Sequence, residues 1–166
     1  MVRIRLSSLT NAKVGQRESV GLNLGQLSLD DLSVAYLKGV LNFTRVANGI
    51  LAQGTLNAAV ATECTRCLEL FFAPVVVELE GLIGLSGASL SPERPVRVTE
   101  EGWVDLAPLV REYLWLGLPA NPVCSPTCAG LCPRCGGNID RGECSCGDKV
   151  PIDPRWAVLQ TLLDGE

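Results

Sequence analysis

A cluster of cysteines near the end of the chain constrains the fold more than any other feature. The stretch CSPTCAGLCPRCGGNIDRGECSC, residues 124–146, holds six of the eight cysteines in the 166-residue sequence, which contains no histidine. Ile139 is the one sizeable apolar side chain between the last two cysteine pairs. Such a segment cannot bury enough apolar surface to hold one shape, so we expect bound metal to stabilise it.

The eight cysteines occur as four close pairs, a spacing that suits tetrahedral metal sites. A two-residue gap forms a tight turn that aims both sulfurs at one ion, about 2.3 Å away for Zn²⁺. Proximity in the sequence predicts one site from Cys132, Cys135, Cys144 and Cys146. The second site then takes Cys64, Cys67, Cys124 and Cys128. We therefore expect two four-cysteine sites, each holding Zn²⁺.

Other uses of the thiols fit the sequence less well. Disulfides suit secreted chains, and the N-terminus MVRIRLSSLT lacks the pattern of a signal peptide, so we expect a reducing, cytoplasmic setting. A thioredoxin-like site needs its CxxC motif at a helix start, whereas CTRC lies between expected strands. Cys128, Cys132 and Cys135 match the cluster-binding triad of radical S-adenosylmethionine enzymes, but too little chain follows for that fold. Iron held by four thiolates, as in rubredoxin, stays open.

Residue types argue against catalysis. Without histidine the chain has no Ser-His or Cys-His nucleophile and no histidine-bearing open zinc site. A closed four-thiolate site leaves no position for water or substrate. The pairs Glu78 with Glu80 and Asp30 with Asp31 fit solvated strand and turn charges better than acid–base pairs. We expect a protein without enzymatic activity or a small-molecule substrate.

Charge distribution bears on the choice of partner. Residues 1–60 hold six Lys and Arg against three acidic residues, while the remainder is acidic and the whole chain carries a formal charge of −4. An acidic protein is a poor nonspecific binder of polyanions. The candidate RNA contacts are the early cations and those on the cysteine loops: Arg3, Arg5, Lys13, Arg17, Arg66, Arg134 and Arg141. For Arg3 and Arg5, protection of an edge strand is the simpler interpretation.

Hydrophobic periodicity predicts strands followed by a helix. Alternation over residues 2–9 predicts a strand, and residues 39–84 predict hairpins with a turn at Ala47-Asn48-Gly49. Pro74 indicates a bulge or a sheet edge. Residues 86–102 are typical of a loop with at most one short strand. No stretch reaches the roughly 20 apolar residues of a membrane span.

Two helices are expected after that loop. Asp105 can cap the first, with Pro108 in its first turn, and its apolar stripe comprises Leu106, Leu109, Val110, Tyr113, Leu114 and Leu116. Asp153 can cap the second, whose apolar face we expect to pack as core: Trp156, Leu159, Leu162 and Leu163.

The expected fold is α+β, a twisted antiparallel sheet, barrel-like or an open meander, with a long helix. We divide it into a sheet-and-helix domain, 1–118, and a cysteine-rich zinc-knuckle segment with a short terminal helix, 119–166.

Several ordered blocks carry a family resemblance. ECTRCLE, VDLAPLVREYLWLGLPANPVC, CAGLCPRCGGNID, CSC and DPRWAVLQTL, between about Glu63 and Leu163, resemble the YceD family of large ribosomal RNA subunit accumulation proteins, which includes plastid relatives. That resemblance implies a part in the accumulation or processing of 23S rRNA without enzymatic activity. It also implies a zinc-bearing ribosomal protein of the large subunit as a partner. Asn138-Ile139-Asp140 supplies the amide or acid that commonly follows the family's knuckle.

Two modes of action follow from these expectations. The protein can bind ribosomal RNA directly through the cations named above. Alternatively, it can act as an adaptor that binds a ribosomal protein, because ribosomal proteins are basic and the C-terminal part of this chain is acidic. A thiol redox or iron–sulfur protein is a third, weaker interpretation.

Overall fold

A computed structural model describes residues 2–85, 96–146, 155–156 and 159. Contacts within the chain divide it into two compact units, Met1–Pro126 and Thr127–Glu166. The first unit contains the strands and helices described below, and the described part of the second consists mainly of turns around cysteines. The domain division that the sequence suggests after residue 118 stays a prediction.

The first unit is built on a five-stranded antiparallel sheet. The strand β1 (Arg3–Arg5) and the helix α1 (Ser7–Thr10) precede this sheet in the chain. The sheet consists of β2 (Arg17–Leu24), β3 (Leu27–Leu29), β4 (Leu32–Val46), β5 (Gly49–Glu63) and β6 (Leu70–Ile83). The strands lie in the order β2-β4-β5-β6, and β3 also pairs with β4. In the part of the chain that the structure describes, β6 forms one edge and the sheet is open. The α+β class and the open meander are confirmed, and the barrel is not formed.

The long hairpin of β4 and β5 forms where the Asn-Gly signal predicts it. Val46 pairs with Gly49 across the two-residue turn. A Cβ atom at Gly49 would lie 2.3 Å from the carbonyl oxygen of Ile83, so this position requires glycine. Pro74 lies on β6, the edge strand, and pairs with Ala59 of β5, which confirms the prediction of an edge there.

One face of the sheet carries the core. Alternate residues of the three long strands are buried on this face, among them Leu41, Phe43, Leu56, Val60, Val77 and Ile83. The helix α2 (Ala107–Gly117) packs against β6 on this side, where Leu109 lies against Gly81 and Gly117 lies against Val77. Val110 and Leu114 of the helix are buried. Its apolar stripe is therefore confirmed in part. Leu116 is 76% exposed, because it lies two positions from Leu114 and so faces away from the sheet.

The ends of α2 follow the predicted signals. The Asp105 carboxylate accepts a hydrogen bond from the backbone N–H of Ala107 at 2.9 Å, which satisfies one of the free donors of the first turn. Pro108 lies in that turn. At the other end a Cβ atom on Gly117 would lie 2.5 Å from Cγ1 of Val77, so glycine allows the helix to approach β6 closely.

The N-terminal segment departs from its prediction. Arg3–Arg5 does form a strand, β1, which pairs with β7 (Trp103–Asp105) and exposes Arg3 and Arg5. A strand up to residue 9 is wrong, because Ser7–Thr10 forms the helical turn α1. Leu6 and Leu9 are both fully buried, and their spacing of three residues fits a helical turn but not an alternating strand.

Two of the predicted segments, the loop after β6 and the terminal helix, are only partly described by the structure. Much of the loop predicted at 86–102 and most of the predicted terminal helix lie outside the described residues, including Asp153, Leu162 and Leu163. Core packing of Trp156 and Leu159 is wrong, because these side chains are 60% and 48% exposed. In the described ranges no helix has the length and apolar character needed to cross a membrane.

Candidate metal centre

The first cysteine group forms where the β5–β6 connection meets the chain that follows α2. Cys64 and Cys67 lie in the turn between the strands and are buried. Sγ of Cys67 lies 3.6 Å from Sγ of Cys124. Thr65 donates hydrogen bonds from its backbone N–H, at 2.9 Å, and from its hydroxyl, at 3.1 Å, to the carbonyl oxygen of Pro122. These bonds hold the segment bearing Cys124 against the turn.

Cys128 completes this group. It follows Cys124 by four residues, and all four sulfurs lie within 4.8 Å of one another. A tetrahedral zinc site with Zn–S bonds of about 2.3 Å has sulfurs about 3.8 Å apart. The separation of 3.6 Å between Cys67 and Cys124 is close to that spacing. These four cysteines could therefore hold one metal ion with little movement.

The second group lies within the C-terminal unit. It consists of Cys132, Cys135, Cys144 and Cys146, and their sulfurs also lie within 4.8 Å of one another. Cys132 is buried, while Cys135 is exposed and the other two are intermediate. The structure thus brings the eight sulfurs together in the two sets that the sequence predicts.

Both CxxC turns have the same backbone hydrogen bonds. In the first, Leu68 N–H donates to the Cys64 carbonyl oxygen at 2.9 Å, and Cys64 N–H donates to the Glu69 carbonyl oxygen, also at 2.9 Å. In the second turn, Gly136 N–H donates to the Cys132 carbonyl oxygen, and Cys132 N–H donates to the Gly137 carbonyl oxygen, each at 2.8 Å. This shared knuckle leaves backbone N–H groups directed at the first cysteine of each turn.

Backbone N–H groups favour the thiolate form of Cys64 and Cys132. Backbone N–H groups of Cys124, Cys67 and Arg66 donate to the Cys64 sulfur and lower its pKa from 9.0 to about 6. The N–H groups of Cys135 and Arg134 lower the pKa of Cys132, likewise to about 6. Metal ions bind the thiolate form, so each turn prepares one ligand at neutral pH.

Sulfur crowding has the opposite effect on the last pair. Hydrogen bonding to the Cys135 sulfur raises the pKa of Cys146 to about 12. The pKa of Cys144 is also raised, with the sulfurs of Cys132 and Cys135 contributing. Four adjacent thiols cannot all ionise without a cation among them, and a divalent ion removes that repulsion. The donor set of the second group therefore suits a thiophilic divalent metal.

A polar network shapes the loop between the last two pairs in place of a core. Asn138 is 5% exposed, and its side-chain oxygen accepts from the N–H of Asp140 at 3.0 Å. The Asp140 carboxylate accepts from Ala129 N–H at 2.9 Å, and the Glu143 carboxylate accepts from Asn138 N–H at 3.2 Å. Ile139 is 42% exposed, so apolar packing contributes little here.

The candidate RNA contacts are exposed but lie on several elements. Arg3 and Arg5 share the exposed face of β1, Lys13 precedes β2 and Arg17 begins it. Arg66 is in the first CxxC turn and contacts the carbonyl oxygen of Pro126 at 3.5 Å. Arg134 and Arg141 are exposed within the C-terminal unit. Among the candidate cations in the described part of the first unit, only Arg3 and Arg5 lie on one strand.

A cleft beside β1 adds residues that sequence reasoning missed. It has a volume of about 450 Å³, and its lining includes Arg3, Arg97, Trp103, Glu101 and Asp105. Two arginines and two acidic residues line this cleft, so it is not a strongly cationic site for phosphate.

A second missed feature is an exposed apolar row on β6. Leu70, Phe72 and Val76 are 76%, 50% and 65% exposed. The segment LFFAPVVV is apolar at successive positions, where a strand with one solvated face should alternate. That departure from alternation was the available signal.

Comparisons with known proteins agree with the cysteine pattern. The family model described as large ribosomal RNA subunit accumulation protein YceD matches residues 52–163, a range that includes all eight cysteines. No solved structure is significantly similar to the chain.

Similar curated proteins come from mycobacteria and a plant. An uncharacterised protein of Mycobacterium tuberculosis is 34% identical over 130 residues, 76% of this chain, and one of Mycobacterium leprae is 30% identical over 126 residues, 74% of this chain. The aligned region spans 61% and 57% of those relatives' lengths. The chloroplastic large ribosomal RNA subunit accumulation protein YCED homolog 1 of Arabidopsis thaliana is 30% identical over 44 residues, 26% of this chain and 14% of its own length. Because the family model covers more than half of the sequence, the chain belongs to the YceD family.

Proposed function

We propose that this protein is a non-enzymatic factor in biogenesis of the large ribosomal subunit, required for accumulation or processing of 23S rRNA. The observation that carries this proposal is the family match over residues 52–163. The name of the Arabidopsis relative supports the same role. Such a factor acts where ribosomes assemble, which we take to be the cytoplasm.

We further propose that each four-cysteine group holds one Zn²⁺. Four thiolates with no nitrogen or oxygen ligand form the donor set of structural zinc sites, and the sulfur spacing fits such a site. Zinc would supply folding energy and no chemistry, because all four coordination positions are filled by the protein. This arrangement, and the lack of histidine, support the absence of enzymatic activity.

The protein's contact with the ribosome is made either with rRNA or with a ribosomal protein. The cations expected to bind RNA are distributed over separate elements, and the cleft beside Arg3 is balanced by Glu101 and Asp105. A specific feature favours the adaptor alternative: the solvent face of β6 combines apolar side chains with Glu78 and Glu80. A basic ribosomal protein would complement such a face.

Sedimentation of lysates from a strain lacking the gene tests the proposed role. We expect depleted large subunits and accumulated precursors of 23S rRNA, restored by the wild-type gene. The Cys132→Ser, Cys135→Ser variant should fail to restore them, while Ser145→Ala, in the same loop but without a sulfur change, should succeed. Normal large-subunit profiles in the deletion strain would refute the role.

Elemental analysis of the purified protein tests the metal assignment. Two equivalents of zinc in a colourless protein are expected. Iron, visible absorption or disulfide-linked cysteines would overturn the assignment without bearing on the role in rRNA accumulation.

A further inference from the structure

The outer face of the sheet is unusually apolar along β6. Phe72, Pro74 and Val76 point to the same side because strand side chains alternate, and Leu70 begins the row. The neighbouring positions on β5 are Ala61 and Ala59, which pair with Phe72 and Pro74. These side chains form one apolar strip at the sheet edge, opposite the face that packs against α2.

Leu68, just before this strip, has an unusual backbone. Its φ is 61°, in the left-handed region that non-glycine residues rarely adopt, and its side chain is 61% exposed. The equivalent position in the second knuckle is Gly136, with φ of 72°. Burial does not explain a leucine here, so a strained, exposed leucine suggests a contact made outside the protein's own core.

Acidic residues border the strip. Glu69 precedes Leu70, Glu63 pairs with Leu70 across the sheet, and Glu78 and Glu80 continue the solvent face beyond Val76. The charged residues of segment 68–80 are all acidic. An apolar strip between carboxylates complements a surface that carries both apolar and cationic side chains.

We propose that Leu68, Leu70, Phe72 and Val76 form the docking site for a basic protein segment that inserts apolar side chains between the flanking carboxylates. This proposal rests on the proposed function for the origin of its partner, a protein of the large ribosomal subunit. The apolar strip supplies the affinity, and the carboxylates orient the partner and accelerate its association.

Binding to the proteins and the rRNA of large ribosomal subunits, separated from each other beforehand and tested in parallel, probes this surface. The immobilised, metal-loaded chain should retain a basic protein, which is then purified and titrated against the variants. Val76→Glu should weaken its binding at least tenfold. Val14→Glu is the matched control, because Val14 is exposed to the same degree, 67% against 65%, but lies outside the sheet.

Leu68→Gly provides the sharper test, because it removes the side chain while relieving the backbone. The variant should keep its metal and thermal stability and still bind the partner at least threefold more weakly. The proposal is overturned if Val14→Glu weakens binding as much as Val76→Glu does, or if Val76→Glu and Leu68→Gly both leave binding unchanged. It is also overturned if the chain retains only RNA, or if it self-associates through this face.

The two proposals fail separately. If the protein binds a basic ribosomal protein through this surface but the deletion strain has normal large subunits, the docking site is supported and the role in rRNA accumulation is refuted. If the deletion strain has depleted subunits that the wild type and Val76→Glu restore equally, the role is supported and the docking site is refuted.

Discussion

Leu68 and Gly136 occupy equivalent positions in two knuckles of the same design. Each follows the second cysteine of a CxxC turn, has a positive φ, 61° and 72° respectively, and donates its N–H to the carbonyl oxygen of the first cysteine. Glycine, present at position 136, adopts this backbone readily, whereas the leucine at position 68 does not. The first knuckle therefore carries strain that the second avoids.

Reciprocal substitutions at these positions should have unequal effects. The left-handed conformation costs a non-glycine residue roughly 1–2 kcal/mol. Gly136→Leu should therefore destabilise the metal-loaded protein by about 1 kcal/mol or more. Leu68→Gly should be neutral or stabilising, since relief of strain offsets the greater freedom of glycine in the unfolded chain. Urea unfolding of both variants measures the difference, and a large loss of stability in Leu68→Gly would contradict it.

Metal stoichiometry should report the two groups independently. Cys64→Ser with Cys67→Ser, and Cys132→Ser with Cys135→Ser, should each remove one equivalent of metal and leave the other, because the two groups share no sulfur. Elemental analysis or native mass spectrometry measures the content. Ser145→Ala, with both equivalents retained, is the control. Loss of both equivalents from either double variant would mean that the groups fold as one.

The cysteine sites were predictable because ligand spacing is a local constraint. CxxC turns need few residues, and a glycine- and polar-rich loop such as 136–143 has no competing core. The long hairpin was predictable for the same reason, since Ala47-Asn48-Gly49 marks the turn between two long strands. In these places the local signal and the tertiary structure agree.

Exposure was less predictable because it depends on what packs against each element. The sequence shows that Leu114 and Leu116 are both apolar, but only the placement of α2 on β6 decides which is buried. The N-terminal strand ends at Arg5 because Leu6 and Leu9 are both buried, and a helical turn places both on the side where the core lies. The exposed row on β6 was missed in the same way: an apolar strand residue is assigned to the core unless its partner layer is known.

The two cysteine groups should release metal at different rates. Three of four cysteines are buried in the first group, but only Cys132 is buried in the second, so reagents reach the second more easily. A thiol-modifying reagent with a colorimetric metal indicator should give two phases, the faster from the second group. The double variant Cys132→Ser, Cys135→Ser should lose the fast phase. A single phase in the wild type would contradict this order.

The ion pair between Asp31 and Arg111 should make a pH-dependent contribution to stability. Arg111 Nε lies 2.6 Å from Asp31 Oδ1, and Nη2 lies 2.8 Å from Oδ2, so the β3–β4 turn is joined to α2 by two parallel bonds. The hydrogen bond from Arg111 lowers the pKa of Asp31 below 3.8. A lowered pKa means that the stabilisation is complete above pH 3.8 and is lost as the pH falls through the lower, folded-state value.

Arg111→Met should therefore lower the melting temperature slightly at pH 7, with a smaller effect as the pH falls below 3.8. Acid also protonates the cysteine thiolates, so the quantity to compare is the difference between variant and wild type at each pH. Arg97→Met is a control, an exposed arginine for which the structure shows no salt bridge within the described residues. A difference that grows in acid would show that the pair does not stabilise the fold as described.

Two leucines on α2 provide the clearest test of how the helix packs. Leu114 is fully buried against the sheet, whereas Leu116 is 76% exposed on the same helix. Leu114→Ala should cost about 2–5 kcal/mol, because truncation removes buried methyl groups and leaves a cavity. Leu116→Ala should change the stability by no more than about 0.5 kcal/mol, as expected for a surface position. Denaturant unfolding of the two metal-loaded variants measures both values, and similar losses would mean that α2 is rotated from the position described.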